Sequence, residues 1–355
     1  MTSSDSVRPC LLLMSCVMCL GQTVGEAPVH ADIVVPVNIV VAPTTVLDKS
    51  GSYLSGLTVE NFMLFDNGKP QTIGVDVSFH PISMVVAVQA SAMMDDVLPK
   101  IQKMGNVLDS LVLGQQGEAA VLAFDHRIQK LQDFTSDPGK IAEAMKKLKP
   151  GSSSHCLNDT VSEAIRMLKK RPEDHRRVLL LISETRDSGS EAHVREVLTE
   201  AQFANIVIYS IDISHVFTQL TGKAVPPRPD PIPATAQHLP GGYANTPTTM
   251  SQAHDLGNVI PAFVEIFKAG RGFFVSSSAD VFTRFTGGQQ YTFVTQRSLE
   301  RSVIELGEEL HSLYLLSYHP DDLKEAGFHD IRVEVNRPGL QIRTRPGYWV
   351  AGQTP

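Results

Sequence analysis

Residues 83–94, SMVVAVQASAMM, constrain this chain more than any other stretch. Met84-Val85-Val86-Ala87-Val88 is an unbroken apolar run, too short for a core helix, and it halts in small residues. Such a run belongs to a strand buried on both faces, the habit of parallel sheets covered by helices on either side. In open sheets of that kind the ligand crevice lies beyond the carboxyl ends of the strands. Gln89-Ala90-Ser91-Ala92-Met93 therefore falls where binding or chemistry would be placed.

After that strand, helical and extended segments take turns. Residues 95–113, 139–148, 158–170 and 190–203 have helical periodicity, and 119–124, 128–134, 178–183 and 206–213 read as strands. The alternation predicts a doubly wound, mostly parallel α/β sheet. Residues 215–248 interrupt it with seven prolines, Pro226-Pro227-Arg228-Pro229-Asp230-Pro231-Ile232-Pro233 at their centre. That composition excludes regular structure and predicts a long surface excursion, with polyproline recognition as the sharper alternative. Beyond it, 259–268 and 299–310 read as helices with a short strand at 291–294 between them.

Both ends have another texture. Residues 33–77 alternate in the strand manner, and Asp66-Asn67-Gly68 marks a hairpin turn. Residues 312–318, 331–335 and 340–345 are again β-rich. The shared texture predicts that the N- and C-terminal segments pack into one β-sandwich-like unit.

At 355 residues, 42% hydrophobic and 19% charged, the chain can bury a sizeable core. Its first stretch carries Arg8, an apolar segment over 10–20 and the small-residue site Gly25-Glu26-Ala27, which reads as a signal peptide over 1–27. The roughly 11 apolar residues fall short of the ~20 needed to span a bilayer. Leu13-Met14-Ser15-Cys16 also fits a lipoprotein processing site, which would anchor the protein to the envelope. Cys10, Cys16 and Cys19 would leave with that segment, and the one thiol remaining, Cys156, allows no internal disulfide. Asp5 and Glu26 against Arg8 give residues 1–27 a charge of −1, leaving −6 of the total −7. Mild acidity argues against nucleic acid or anionic membrane as partner. The cluster Lys169, Lys170, Arg171, His175, Arg176 and Arg177 reads as a solvated helix end complementing the macrodipole.

The order of these features resembles the von Willebrand factor A-related proteins of the acidobacterial type. The landmarks are Gly56-Leu57-Thr58-Val59-Glu60-Asn61-Phe62 with Asp66-Asn67-Gly68-Lys69-Pro70, the strand ending at Gln89-Ala90-Ser91, Asp133-Phe134-Thr135-Ser136-Asp137, residues 178–187, and Arg337-Pro338-Gly339-Leu340 with Arg345-Pro346-Gly347-Tyr348. The resemblance implies an exported A domain flanked by β segments. It also implies a place to look for a metal-ion-dependent adhesion site, where relatives carry an Asp-x-Ser-x-Ser loop, a Thr and a further Asp.

Here Gln89, Ser91 and Met93 stand in the loop, His155 at the Thr with Ser154 one register away, and Ser183-Glu184-Thr185, followed by Asp187, at the last Asp. Mg²⁺ asks for hard oxygen ligands in tight octahedral geometry, so a carboxamide and a thioether weaken or abolish its binding. Ser91, His155 and Glu184 form a mixed oxygen and nitrogen set that would suit Mn²⁺ or Zn²⁺ better than Mg²⁺. The plainer reading is a vestigial crevice satisfied by hydrogen bonds, with Ser91 capping the following helix.

No convincing catalytic set emerges. His155 and Cys156 are consecutive, and neighbouring side chains usually point apart, so a buried, inert thiol is the simpler role. Thr221-Gly222-Lys223 lacks the upstream glycine of a phosphate loop, and Glu308 and Glu309 read as solvated. The resulting division is a signal peptide at 1–27, a β segment at 28–80, an A-type domain at 81–311 with the insertion 215–248, and a β segment at 312–355. The function expected is a secreted or periplasmic, non-enzymatic adhesion module. It would bind protein or surface polymer through a crevice of Gln89, Ser91, His155, Glu184 and Asp187. The rivals are an envelope scaffold with nothing bound at the crevice and, more remotely, a hydrolase.

Overall fold

The computed structural model describes residues 39–76, 80–105, 116–184, 187, 189–213, 277–293, 295–320 and 327–350. In chain order the strands and helices begin with β1 (Val40–Leu47), β2 (Phe62–Asp66), β3 (Lys69–Gln71) and β4 (Ile73–Asp76). Next come β5 (Ile82–Gln89), the single turn α1 (Leu98–Ile101), β6 (Glu118–Phe124), β7 (Ile128–Thr135), α2 (Pro138–Lys146) and α3 (Leu157–Leu168). They are followed by β8 (Arg176–Ser183), α4 (Val194–Phe203), β9 (Ile206–Ile213), α5 (Ser278–Thr286), β10 (Gln290–Phe293) and α6 (Gln296–Ser312). The chain then adds β11 (Tyr314–Tyr318), β12 (Gly327–Val335), β13 (Gln341–Thr344) and β14 (Gly347–Val350).

The apolar run is β5, and every one of its residues is buried. It lies inside a six-stranded sheet of order β10-β9-β8-β5-β6-β7, parallel except for β7. Alternation along the strand sends Met84, Val86 and Val88 to one face and Val85 and Ala87 to the other. The first face receives Ile141 and Met145 of α2 with Leu299, Val303 and Leu306 of α6, and the second receives Val161 and Ile165 of α3 with Phe282 and Phe285 of α5. Burial on both sides is why the sequence shows continuous hydrophobicity here and not an alternating pattern.

Local chemistry sets the ends of these elements. Asp137 caps α2, accepting from Gly139 N at 2.9 Å, with Pro138 in the first turn where its missing N–H costs nothing. Thr295 and Ser298 form a capping box for α6. In the β2–β3 hairpin Asn67 and Gly68 both take positive φ, 47° and 77°, the paired left-handed geometry of a tight hairpin turn.

Strands from the two ends of the described chain interleave in two antiparallel sheets, β13-β1-β11-β4 and β14-β12-β2-β3. Val40, Ala42, Leu64, Tyr314, Leu316 and Ile331 are part of one apolar cluster drawn from both sheets, which makes the predicted sandwich. Neither end could form this core alone.

Several expectations are corrected. Over 95–113 the described part is α1 followed by a 3-10 turn at Gln102–Met104; residues 106–115 lie outside the described residues. The helix expected from 190 starts at Val194, because Asp159 accepts from the backbone N–H groups of Glu191 and Ala192 and holds them in a loop. Helix α5 and strand β14 were not expected; Ser277 as cap and Gly287 at φ 88° are the signals that delimit α5. The basic cluster is not simply solvated. Arg171 grips Glu118 at 2.6 and 2.7 Å beneath the Phe134 ring, and Arg176 donates to Leu310 O at 2.6 Å. The expected signal peptide, the proline-rich segment 215–248 and the helix at 259–268 lie outside the described residues.

Glu309 overturns its expected exposure outright, being 0% exposed while Glu308 is exposed. It accepts from Tyr209 Oη at 2.9 Å and from Tyr53 Oη, Tyr291 Oη and Thr45 Oγ1 at 3.4 Å, and it pairs with Arg343. Thr45 and Arg343 belong to the sandwich and Tyr209 and Tyr291 to the six-stranded sheet, so this carboxylate ties the two together. Burial and the Glu309 charge push the Tyr53 hydroxyl up to about 12.

Candidate functional site

The carboxyl ends of β5, β8, β9 and β10 form one rank. Val88 pairs with Ile182, one residue before Gln89 and Ser183; Ser183 pairs with Asp212, and Asp212 with Thr292. Two-residue alternation from Val85 and Ala87, Leu179 and Leu181, and Ile206 and Ile208 puts Gln89, Ser183 and Asp212 on the face covered by α3, α4 and α5. The apolar interior thus gives way to polar side chains at this end of the sheet.

Gln89 is fully buried and both ends of its carboxamide are used. Its Oε1 accepts from Glu184 N at 2.8 Å, and its Nε2 donates to Ser91 Oγ at 2.8 Å. The side chain therefore ties the loop after β5 to the loop after β8. An aspartate could not supply that donor. Ser91 does not play the expected capping role: its residue starts the 3-10 turn Ala92–Met94 without a side-chain cap bond, and its hydroxyl is held by Gln89.

Asp187, at 8% exposure, accepts from Leu157 N at 2.7 Å, Asn158 N at 3.4 Å, Ser190 N at 3.1 Å and Ser190 Oγ at 2.7 Å. It is the cap of α3 supplied from a distant loop, placed where the helix dipole favours a carboxylate. His155 and Glu184 are both buried at 6% exposure. The structure thus brings Gln89, Ser91 and Glu184 together through Gln89, and sets Asp187 against the start of α3, next to His155 and Cys156 in the chain.

Two residues that organise this end were not singled out in the sequence. Asp125, just past β6, accepts from Ser152 N at 2.9 Å and Arg127 N at 2.8 Å. Burial pushes its carboxyl up, but those amides and the neighbouring His126 and Arg127 outweigh it and hold the group below the usual carboxylate range. Asp212 behaves oppositely: burial and the Glu184 charge raise it to about 6, against a hydrogen bond from Gln290. The signal available for both is a carboxylate at or just beyond the end of a buried strand.

The fit of a divalent cation can be tested on these bonds. Gln89 and Ser91 satisfy each other, Asp187 uses both oxygens on amides and a hydroxyl, and among the described residues no group of three or more His, Cys, Asp and Glu side chains is arranged to hold a metal. Nor is the thiol activated: Cys156 Sγ donates to Asp125 O at 3.1 Å, and burial pushes it up to about 11. A cavity of about 170 Å³ lies elsewhere, lined by Val41, His80, Arg176 and Leu315 among others. There His80 bridges Asp76 Oδ2 at 2.7 Å and Asp174 O at 2.9 Å. No helix among the described residues is long and apolar enough to cross a membrane.

Residues 84–187 match the family model described as the von Willebrand factor type A domain. Among solved structures, the chain is similar to a von Willebrand factor type A protein from Catenulispora acidiphila, with 9% identity, a TM-score of 0.44, and coverage of 88% of this chain and 63% of that one. It is similar to proximal thread matrix protein 1 from the mussel byssus, solved with a zinc-occupied MIDAS motif, at 12% identity and a TM-score of 0.43 over 70% of this chain and 50% of that one. It is also similar to the vWF domain of the type V pili tip protein Mfa5 from Porphyromonas gingivalis, at 17% identity and a TM-score of 0.27 over 31% of this chain and 40% of that one. The match thus spans less than two thirds of each of these proteins. No curated protein matches the sequence.

Proposed function

Since the chain carries a von Willebrand factor type A domain over residues 84–187, we propose that it is an exported, non-enzymatic binding module whose crevice engages a protein or surface polymer without a metal. The reading divides the chain into an export segment at 1–27, an A-type domain at 81–311 and a sandwich contributed by 28–80 and 312–355. The observation that carries it is the Gln89 carboxamide, which joins Ser91 Oγ to Glu184 N across the position where relatives with an intact site place a carboxylate. A neutral cross-link there keeps the two loops in register and removes the charge that a cation requires. The protonated, buried thiol and the committed carboxylate of Asp187 support a role in recognition over chemistry.

The test is calorimetric titration of the protein with Mg²⁺, Mn²⁺ and Zn²⁺, in parallel with Glu184→Ala. The expected outcome is no binding heat for any ion in either protein. Heat with Mn²⁺ or Zn²⁺ that disappears in Glu184→Ala would establish a rebuilt site of Ser91, His155 and Glu184 and overturn the metal-free reading.

A further inference from the structure

An outermost strand leaves its outward N–H and C=O groups unpaired, so the edges of a sheet are where one chain can add a strand from another. Among the described residues the sheets end in β10 and β7, β13 and β4, and β14 and β3. Most of these edges are short. β10, β4, β13 and β14 have four residues each, and β3 has three, with Pro70 at its centre removing a donor. β7 has eight residues, which makes it the one described edge long enough to template a partner strand.

That strand also carries the obstacles. Two bulges break its register with β6: Asp133 and Phe134 stand against Ala120 between the Gln132–Val121 and Thr135–Ala119 pairs, and Leu131 is extra between Gln132–Val121 and Lys130–Leu122. At the first bulge the backbone turns to side chains of β7 itself. Phe134 N donates to Asp133 Oδ1 at 2.9 Å, and Asp133 O accepts from Gln132 Nε2 at 3.0 Å. Lys130 Nζ donates to Asp133 Oδ2 at 2.6 Å, an ion pair laid along the strand with both side chains at least half exposed. The bonds from Lys130 and from Phe134 N hold the Asp133 carboxyl below the usual carboxylate range, so at neutral pH it only accepts.

We propose that Gln132, Asp133 and Lys130 guard this edge against a second copy of the chain, by satisfying from within β7 the N–H and C=O that an added strand would pair with. Without the guard, β7 meets β7 of another copy antiparallel about a twofold axis and joins two six-stranded sheets into one. With it, an arriving strand must break the Gln132 and Asp133 bonds and strip water from the Lys130–Asp133 pair before it gains any ladder bond. The other edges need no such device, because three or four residues offer a partner too little to hold. The inference is independent of what the crevice binds.

The test is analytical ultracentrifugation of the protein at rising concentration, beside Asp133→Thr and the double variant Gln132→Val with Asp133→Thr, with hydrogen exchange over residues 128–135 followed in parallel. The mass of the double variant is expected to climb toward twice the wild-type value while exchange over 128–135 slows; Asp133→Thr should shift the same way by less. Wild-type exchange over 128–135 should not change with concentration. Should the double variant fail to fold, Asp133→Thr alone decides the matter, since that side chain is 61% exposed and lies outside the core. Both variants sedimenting as wild type, association that leaves exchange over 128–135 unchanged, or wild-type protein that gains protection there with concentration overturns the proposal.

Discussion

Replacing Glu309 tests whether the sandwich and the six-stranded sheet unfold as one body. Its carboxylate accepts from Thr45 on β1, Tyr53 after β1, Tyr209 on β9 and Tyr291 on β10, and pairs with Arg343 on β13. Glu309→Leu leaves the Arg343 guanidinium, whose side chain is 29% exposed, without its carboxylate, and the fully buried Tyr209 hydroxyl without its acceptor. Breaking a buried pair by removing one partner costs about 3–5 kcal/mol, and partial access of water to Arg343 places this case toward the lower end. For a body of this size that corresponds to a fall in Tm on the order of 10 °C. Glu309→Leu combined with Arg343→Met removes both charges, and an apolar replacement of a buried pair is often close to neutral. The double variant should therefore recover part of the loss, with a coupling energy of at least about 1 kcal/mol. The assay is urea denaturation followed by circular dichroism and by tyrosine fluorescence. Coincident transitions are expected. A loss below about 1 kcal/mol for Glu309→Leu, or a double variant no better than the sum of the two singles, would refute the claim that this carboxylate holds the two parts together.

Two further outcomes follow from the same bonds. Asp187→Ala strands the amides of Leu157 and Asn158 at the start of α3, and loss of such a cap should cost about 2 kcal/mol; hydrogen exchange at those two amides should accelerate, and unchanged protection would show that the cap is dispensable. The second concerns acid. Burial pushes the Asp66 carboxyl up, but hydrogen bonds from His329, Tyr348 and Tyr318 outweigh it and hold the group below its ordinary value. A depressed carboxyl stabilises the fold at pH above about 4 and loses that contribution as pH falls through the folded value. Asp66→Asn should accordingly flatten the drop in urea midpoint between pH 5 and 3, and an unaltered drop would assign acid lability to other groups.

What the sequence reveals depends on how local the cause is. Strand β5 is legible because its physics lies in consecutive residues: a run apolar at every position has one comfortable place, the middle of a sheet covered on both faces. The β2–β3 turn is legible because Asn67 and Gly68 are among the few residues that accept positive φ. Glu309 reads as solvated in the sequence because its burial is decided by Tyr53, Tyr209 and Arg343, none within thirty residues of it in the chain. Helix α5 leaves little trace in the sequence because its nine residues mix aromatic and β-branched side chains with polar ones, and its packing on β9 fixes it more than propensity does.

The candidate site divides in the same way. Its location is legible, since strand ends follow from the strands, and Gln89, Ser91, Glu184 and Asp187 do stand at or just beyond them. Their roles are not. Ser91, expected to cap, instead receives Gln89 Nε2; Asp187, expected in the crevice, accepts from the first amides of α3, whose first residue lies thirty positions earlier in the chain. Asp125 and Asp212 carry a weaker sequence signal, a carboxylate at or just past the end of a buried strand as at Glu184. A carboxylate in that position is met either by backbone amides, as at Asp125, or by a like charge, as at Asp212 beside Glu184. The first arrangement is complete within the protein. The second works in the opposite sense, since burial and the Glu184 charge raise the Asp212 carboxyl where backbone amides help to lower that of Asp125.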